Sequence, residues 1–289
     1  MRGTNEARLG NAACIALVHR NTTVGSSIKR DQINNVKVLV ISPTFPPMRS
    51  GGADYAFWLC KRLAESGLAI HVLTSDIKNV TTDPKVQVYP VMRQWNWFEF
   101  PRLLRLAYRC RPDVVNIHFT GEVYHNQPMI TILPGILKRI MPLVSVVTHI
   151  EYPMGVNLNG LAFSTRVMRK AIAPWIGTRD LDWGYGTLLR DSDRLVILSE
   201  PHRHMLSNHL SSVGQKCVLI PPPPNLRICG DEDDSARRRG RELSRVDQEN
   251  FVLAYYGYLY PRKGIETLLT ALHLVAQEQA CPLGADRRQ

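Results

Sequence analysis

Two histidines each close a short β-branched run: His118 in Asp113-Val-Val-Asn-Ile-His118, and His149 in Val146-Val-Thr-His149, with Glu151 two residues further on. A neutral imidazole donates one hydrogen bond and accepts another, while an ionised carboxylate only accepts. At strand ends such groups can bind a sugar hydroxyl or a phosphate oxygen; the plainer reading makes each histidine a packed or surface residue. Two adjacent glycines, Gly51 and Gly52, follow Pro46-Pro47-Met48-Arg49-Ser50 and precede a helix-patterned segment. Glycines there let backbone N–H groups approach an anion, although a simple strand-to-helix turn has the same composition. A second glycine turn, Gly257 to Gly264, presents Arg262 and Lys263 ahead of another helical pattern. Cations are disfavoured at a helix N-terminus. An anion ligand therefore accounts for this turn better than a basic cap does.

These side chains are useful only if the elements around them hold them at one edge of a sheet. Val36 to Ile41 reads as a strand buried on both faces, and the Ser50-Gly51-Gly52 loop leads into a helix over Ala53 to Ser66. In that helix Ala56, Leu59, Cys60 and Leu63 share one face, and Gly67 supplies the C-terminal cap. A strand over Leu68 to Leu73 completes a βαβ unit, whose helical crossover implies parallel pairing. Further strands are expected at Val114 to Phe119, Leu143 to Thr148, Arg194 to Ser199 and Cys217 to Ile220, with a helix over Met129 to Met141. The alternation predicts an α/β fold, a Rossmann-like doubly wound parallel sheet. Ligands of such sheets sit at the carboxyl ends of the strands, where both histidines fall. After the prolines at Pro221 to Pro224 comes a charged stretch to Asn250, read as a solvated linker or insertion. A new βα unit then begins, with a strand over Phe251 to Tyr256. Its helix should bury the stripe Ile265, Leu268, Leu269, Leu272 and Val275.

Taken in order, these motifs resemble the family 4 retaining glycosyltransferases. The resemblance rests on Pro-Pro-x-x-x-Gly-Gly-Ala, Asp-Val-Val-x-x-His, Thr-His-x-Glu, Leu-Ser199-Glu200 and Gly-x-Leu-x-Pro-x-Lys-Gly, and covers roughly residues 36 to 280. It implies a GT-B architecture, in which an N-terminal acceptor domain faces a C-terminal domain that binds a nucleotide sugar. Transfer with retention of configuration, without metal or other cofactor, is also implied. By the resemblance, His149 is the catalytic candidate near the transferred sugar. Gly51, Gly52, Arg262 and Lys263 would bind the donor phosphates, and His118 and Glu151 the acceptor or sugar. Two features depart from the family: Tyr258 stands where it carries an arginine, and no Glu-x7-Glu segment precedes Gln289. The expected layout is an extension over 1–35, an acceptor-side domain over 36–222, a linker over 223–250, and over 251–289 the start of a truncated donor domain. A glycan- or lipid-headgroup-binding protein without a complete donor site is the alternative.

Composition narrows the partners. The 289 residues carry 36 Lys plus Arg against 25 Asp plus Glu, a net charge of +11 that favours anionic ligands. No basic stripe interleaved with aromatics is present, so nucleic acid is not expected. The expected partners are a nucleotide-sugar donor and a glycan, lipid-linked or small-molecule acceptor. Trp95, Trp97, Phe98 and Phe100, with Arg93, Arg102 and Arg105 close by, either pack on their own domain or rest on an anionic membrane. The six cysteines are scattered with no C-x-x-C pair, which argues for a reducing, cytoplasmic location and against a zinc site. Ala12 to Val18 is apolar but short, and His19-Arg20 follows it instead of a cleavage site, so it is grouped with the extension.

Overall fold

The computed structural model describes residues 36–157 except 82, then 163–222, 234–250, 252–253, 255, 257, 259 and 263–280. The chain divides into two compact units, Met1–Arg227 and Ile228–Gln289. In the first, the order is β1 (Lys37–Ile41), α1 (Gly51–Glu65), β2 (Ala69–Ser75), β3 (Val86–Met92), α2 (Phe100–Cys110) and β4 (Val114–Phe119). It continues through a 3-10 turn (Pro128–Ile132), α3 (Leu133–Ile140), β5 (Ser145–Ile150), α4 (Phe163–Ile176), α5 (Leu188–Asp191), β6 (Arg194–Ile197), α6 (Glu200–Ser207), a 3-10 turn (Ser211–Gln215) and β7 (Cys217–Leu219). All seven strands are parallel and lie in the order β3-β2-β1-β4-β5-β6-β7. The order reverses between β1 and β4, where crossovers leave on opposite faces and open a crevice at the carboxyl edge.

Strand alternation sorts the core into two faces. Leu39, Ile41, Val115, Ile117 and Phe119 enter the larger cluster, with Leu103 and Ala107 of α2 and Leu133 and Leu137 of α3. Val38, Val40, Val114, Val147 and Val196 face the other way, onto Ala56, Leu59, Cys60 and Leu63 of α1. The four residues expected to line one face of this helix are thus its buried stripe. At its start the structure departs from the reading: α1 begins at Gly51, so the two glycines form its first turn and not a loop. Ser50 caps it by accepting from the Ala53 N–H at 3.1 Å. Gly67, at φ 95°, turns the chain out of the helix while its N–H reaches the Ala64 carbonyl.

Several expectations change. The segment 129–141 is not one helix: a 3-10 turn ends at Ile132 and α3 begins at Leu133 with Pro134 in its first turn. Proline lacks the N–H that an unbroken helix would need at that point. Strand β3 was not anticipated, because Pro90 interrupts its apolar pattern; as an edge strand it tolerates the missing donor. Among the aromatic cluster, Trp95 and Phe100 are buried and Trp97 packs edge-on against Phe100, whereas Phe98 is 87 % exposed. Cys60, Cys110 and Cys217 are buried free thiols.

The second unit contains α7 (Ser235–Leu243), which buries none of its residues, and α8 (Ile265–Ala280). The stripe expected to be buried on α8 is not: Leu269 is 60 % and Val275 50 % exposed. Residues 252, 253 and 255 are outside any strand, and the rest of the expected strand over 251–256 lies outside the described residues. An apolar helical stripe is covered only when a sheet or second helix packs on it. The extension over 1–35 also lies outside the described residues.

Candidate functional site

The site assembles where β1, β4 and β5 end. In the register of the sheet, His118 of β4 lies opposite His149 of β5, and the pairing continues to Phe119 and Ile150. The period of two then points both imidazoles toward α1, where they stack with centroids 5.0 Å apart and planes 5° from parallel. Tyr55, on the buried face of α1, closes the group from above. Its hydroxyl shares a 3.3 Å hydrogen bond with His149 Nδ1, the direction depending on the tautomer. Glu151 follows β5, tethered by its N–H to the Phe119 carbonyl. Its carboxylate accepts from Thr120 Oγ1 at 3.3 Å, and its other oxygen lies 3.6 Å from His118 Nδ1. That last separation is too long for a hydrogen bond.

Burial sets the charge of each group. Both histidines are 3 % exposed. Loss of hydration pushes His118 down to about 4 and holds His149 well below the ordinary imidazole range, the neighbouring His118 adding to the effect. Both rings are therefore neutral at physiological pH. Burial raises the Glu151 carboxyl, partly offset by the Thr120 hydroxyl. Burial also raises the Tyr55 phenol, helped by the Glu151 charge, so the phenol keeps its proton. The cluster is thus built from uncharged donors and acceptors, with one carboxyl at its edge.

Several of these groups lack partners. His118 has no hydrogen bond at either ring nitrogen, and Asn116, two residues earlier on the same face, has none at its side-chain oxygen or nitrogen. Buried polar atoms are nearly always paired, so four unpaired atoms on one strand mark a place for water or ligand. Glu151, with 24 % of its side chain exposed, is the member of the trio open to solvent. The imidazoles lie beneath it.

The glycines reach the same place. A Cβ on Gly52 would sit 3.6 Å from Glu151 Oε2 and 3.4 Å from Thr44 Oγ1, while one on Gly51 would meet nothing within 4 Å. The first turn of α1 therefore abuts the Glu151 carboxyl. The structure thus brings together His118, His149, Glu151 and Gly52, with Gly51 beside them. Lys263 belongs to the second unit, and Arg262 lies outside the described residues. Tyr55, Thr120 and Asn116 were missed. Asn116 had a signal, as a polar residue inside a β-branched run at the same alternation as His118. Tyr55 is four residues beyond Gly51, one helical turn, but nothing in the sequence aimed it at a histidine.

No family model matches the sequence, and no curated protein matches it. Among solved structures, the catalytic domain of starch synthase IV from Arabidopsis thaliana, bound to ADP and acarbose, is similar with a TM-score of 0.50 at 12 % identity. The match covers 84 % of this chain and 67 % of the synthase chain. A dTDP-glucose 4,6-dehydratase from Bacillus anthracis, in complex with NAD, gives a TM-score of 0.31 at 10 % identity over 56 % of this chain and 53 % of its own. The first likeness, with the seven parallel strands, defines the fold: a Rossmann-like α/β domain of the kind found in GT-B enzymes.

Proposed function

We propose that this chain is a glycosyltransferase of the retaining family 4 type, whose first unit carries the acceptor side of the reaction. The observation that carries the reading is the His118–His149–Glu151 cluster, set against the glycine turn of α1 at the point where strand order reverses. Ligands of open α/β sheets bind at that point. The five motifs found in order along the sequence supply the family.

In this reading the exposed edge of Glu151 accepts from a sugar hydroxyl, while the Thr120 hydroxyl and the tether of its own N–H to the Phe119 carbonyl hold it in place. His118 offers its unpaired nitrogens to water or to the same ligand. His149, fixed by Tyr55, is the residue assigned to the transferred sugar. Gly51 and Gly52 present backbone N–H groups at the N-terminus of α1 to the donor phosphates. Arg262 and Lys263 are assigned on sequence grounds to the leaving diphosphate, where negative charge develops during transfer. The donor is a nucleotide sugar, the acceptor a glycan, lipid-linked or small-molecule alcohol, and no metal is assigned a role.

The placement of His118, His149 and Glu151 together within the first unit is what favours a second reading, a glycan- or headgroup-binding protein without turnover. Calorimetric titration of the full chain with UDP, GDP and ADP separates the two. Micromolar to millimolar binding of one nucleotide, lost in Lys263→Ala and weakened in Gly52→Val, is the expected result. Absence of binding to all three would remove the transferase reading and leave the binding protein.

A further inference from the structure

A second concentration of charge lies at the far side of the sheet. Beyond the edge strand β3, an open cavity of about 450 Å³ runs between that strand and α2, lined by Arg93, Arg102, Arg105 and Arg109 with Asp76 as the carboxylate on its wall. The arrangement follows from the sequence. Arg102, Arg105 and Arg109 are spaced i, i+3, i+7 and so share a face of α2, while Leu103 and Ala107 bury the opposite face. Arg93 follows directly on the last residue of β3 and meets them from the strand side.

The four arginines are not equally occupied. Arg102 donates to the Val91 carbonyl at 3.1 Å and pairs with Glu99 at 2.6 Å, which fixes it against the strand and offsets its charge. Arg93, Arg105 and Arg109 make no hydrogen bond or ion pair among the described residues. Four guanidinium groups therefore face two carboxylates, Glu99 and Asp76, of which only Glu99 is engaged. Convergent like charge on one cavity wall repels itself unless an anion enters. Guanidinium forks bind phosphate oxygens in pairs, which a single ammonium does not do.

We propose that this groove is an anion site, separate from the histidine cluster, that takes a ligand carrying clustered phosphate groups. Strands β2 and β1 separate it from β4 and β5, so the two sites do not share residues. The same chemistry is offered by a soluble polyphosphorylated molecule and by the headgroup layer of an acidic phospholipid. Phe98, 87 % exposed just before α2, and Tyr108, 59 % exposed within it, stand near the arginines as apolar surface that a lipid source would cover.

The test uses the full chain with two probes, tripolyphosphate in calorimetry and phosphatidylcholine vesicles with or without phosphatidic acid in co-sedimentation. The site variant is Arg105→Gln with Arg109→Gln. The control is Arg237→Gln with Arg238→Gln on α7, which removes equal charge from a helix with no buried residues. The site variant is expected to bind at least about tenfold more weakly than the parent, as loss of charge-assisted bonds requires, and the control within about twofold. Binding of tripolyphosphate assigns a soluble ligand, and binding only to phosphatidic acid vesicles assigns a lipid surface. Equal weakening by both variants, or binding to neither probe, overturns the proposal. Lys263→Ala is expected to leave groove binding intact, so failure of the donor-site reading and failure of this one are separable.

Discussion

Acidification should destabilise this protein through its buried imidazoles, and the size of the effect follows from the structure. His118 titrates near 6.5 in an unfolded chain and at about 4 in the fold, because burial removes the water that would solvate its charge. Between those values the unfolded state binds a proton that the folded state refuses, so stability is lost as pH falls. The gap is worth about 3 kcal/mol in full, of which about 2 kcal/mol is lost by about pH 4.5. His149 acts in the same direction and adds a loss of its own, because the unfolded chain protonates that ring as well, while burial and the stacked His118 keep it neutral in the fold. Glu151 opposes them: its raised carboxyl takes up a proton earlier in the fold than outside it, so acidification relieves that group. Tyr55 stays neutral throughout and contributes nothing. Urea denaturation followed by tryptophan fluorescence at about pH 7 and about pH 4.5 measures the loss, and in the His118→Leu, His149→Leu double variant that loss should be smaller by at least about 2 kcal/mol. If parent and variant lose equal stability over that interval, the imidazoles are not held neutral by burial and the account of the site fails. NMR titration of the parent gives a second check, since two imidazole resonances should remain unshifted down to about pH 5.

Two further outcomes follow from the seam between the 3-10 turn before α3 and the loop before α5. Thr187 Oγ1 accepts from the Gly135 N–H at 2.9 Å and donates to the Thr131 carbonyl at 3.1 Å, so Thr187→Val should cost about 1–3 kcal/mol by stranding a buried donor; an unchanged urea midpoint would contradict this. Gly186 has φ +54°, and a Cβ there would lie 2.6 Å from the Thr131 carbonyl oxygen, so Gly186→Ala should lower stability by about 2 kcal/mol or more in the same assay.

Much of the frame was legible because the first unit is locally consistent. The runs expected at 36–41, 114–119 and 143–148 are β-branched, and they became parallel strands over 37–41, 114–119 and 145–150, the last of them two residues later than expected. The stripe on α1 and the glycine that ends it were readable from spacing alone, whereas its start at Gly51 was not. Strand β3 was not, because Pro90 and Gln87 break the alternation that an interior strand would show. For the site, chain position alone placed His118 and His149 together, since parallel register aligns residues at equivalent strand ends. The contact with Tyr55 and the unpaired atoms of Asn116 depend on how α1 crosses the sheet, a tertiary fact with no sequence period. The failed stripe on α8 teaches the converse: a helical pattern states which face seeks burial, not that anything covers it.

The strand order has a consequence for how the protein reaches its native state. Residues 38–41 of β1 pair on one side with β2, about thirty positions later, but on the other with residues 114–117. Parallel pairings at such separations are slow to form, because a long loop must close before any contact repays its entropy. During synthesis, the central strand therefore remains half-paired until β4 has emerged, with one edge open to wrong partners. The stack of His118 on His149 waits longer still, for β5. The chemistry of the cluster is the product of late assembly, and a chain cut anywhere before residue 150 would lack it, however well the earlier segments fold.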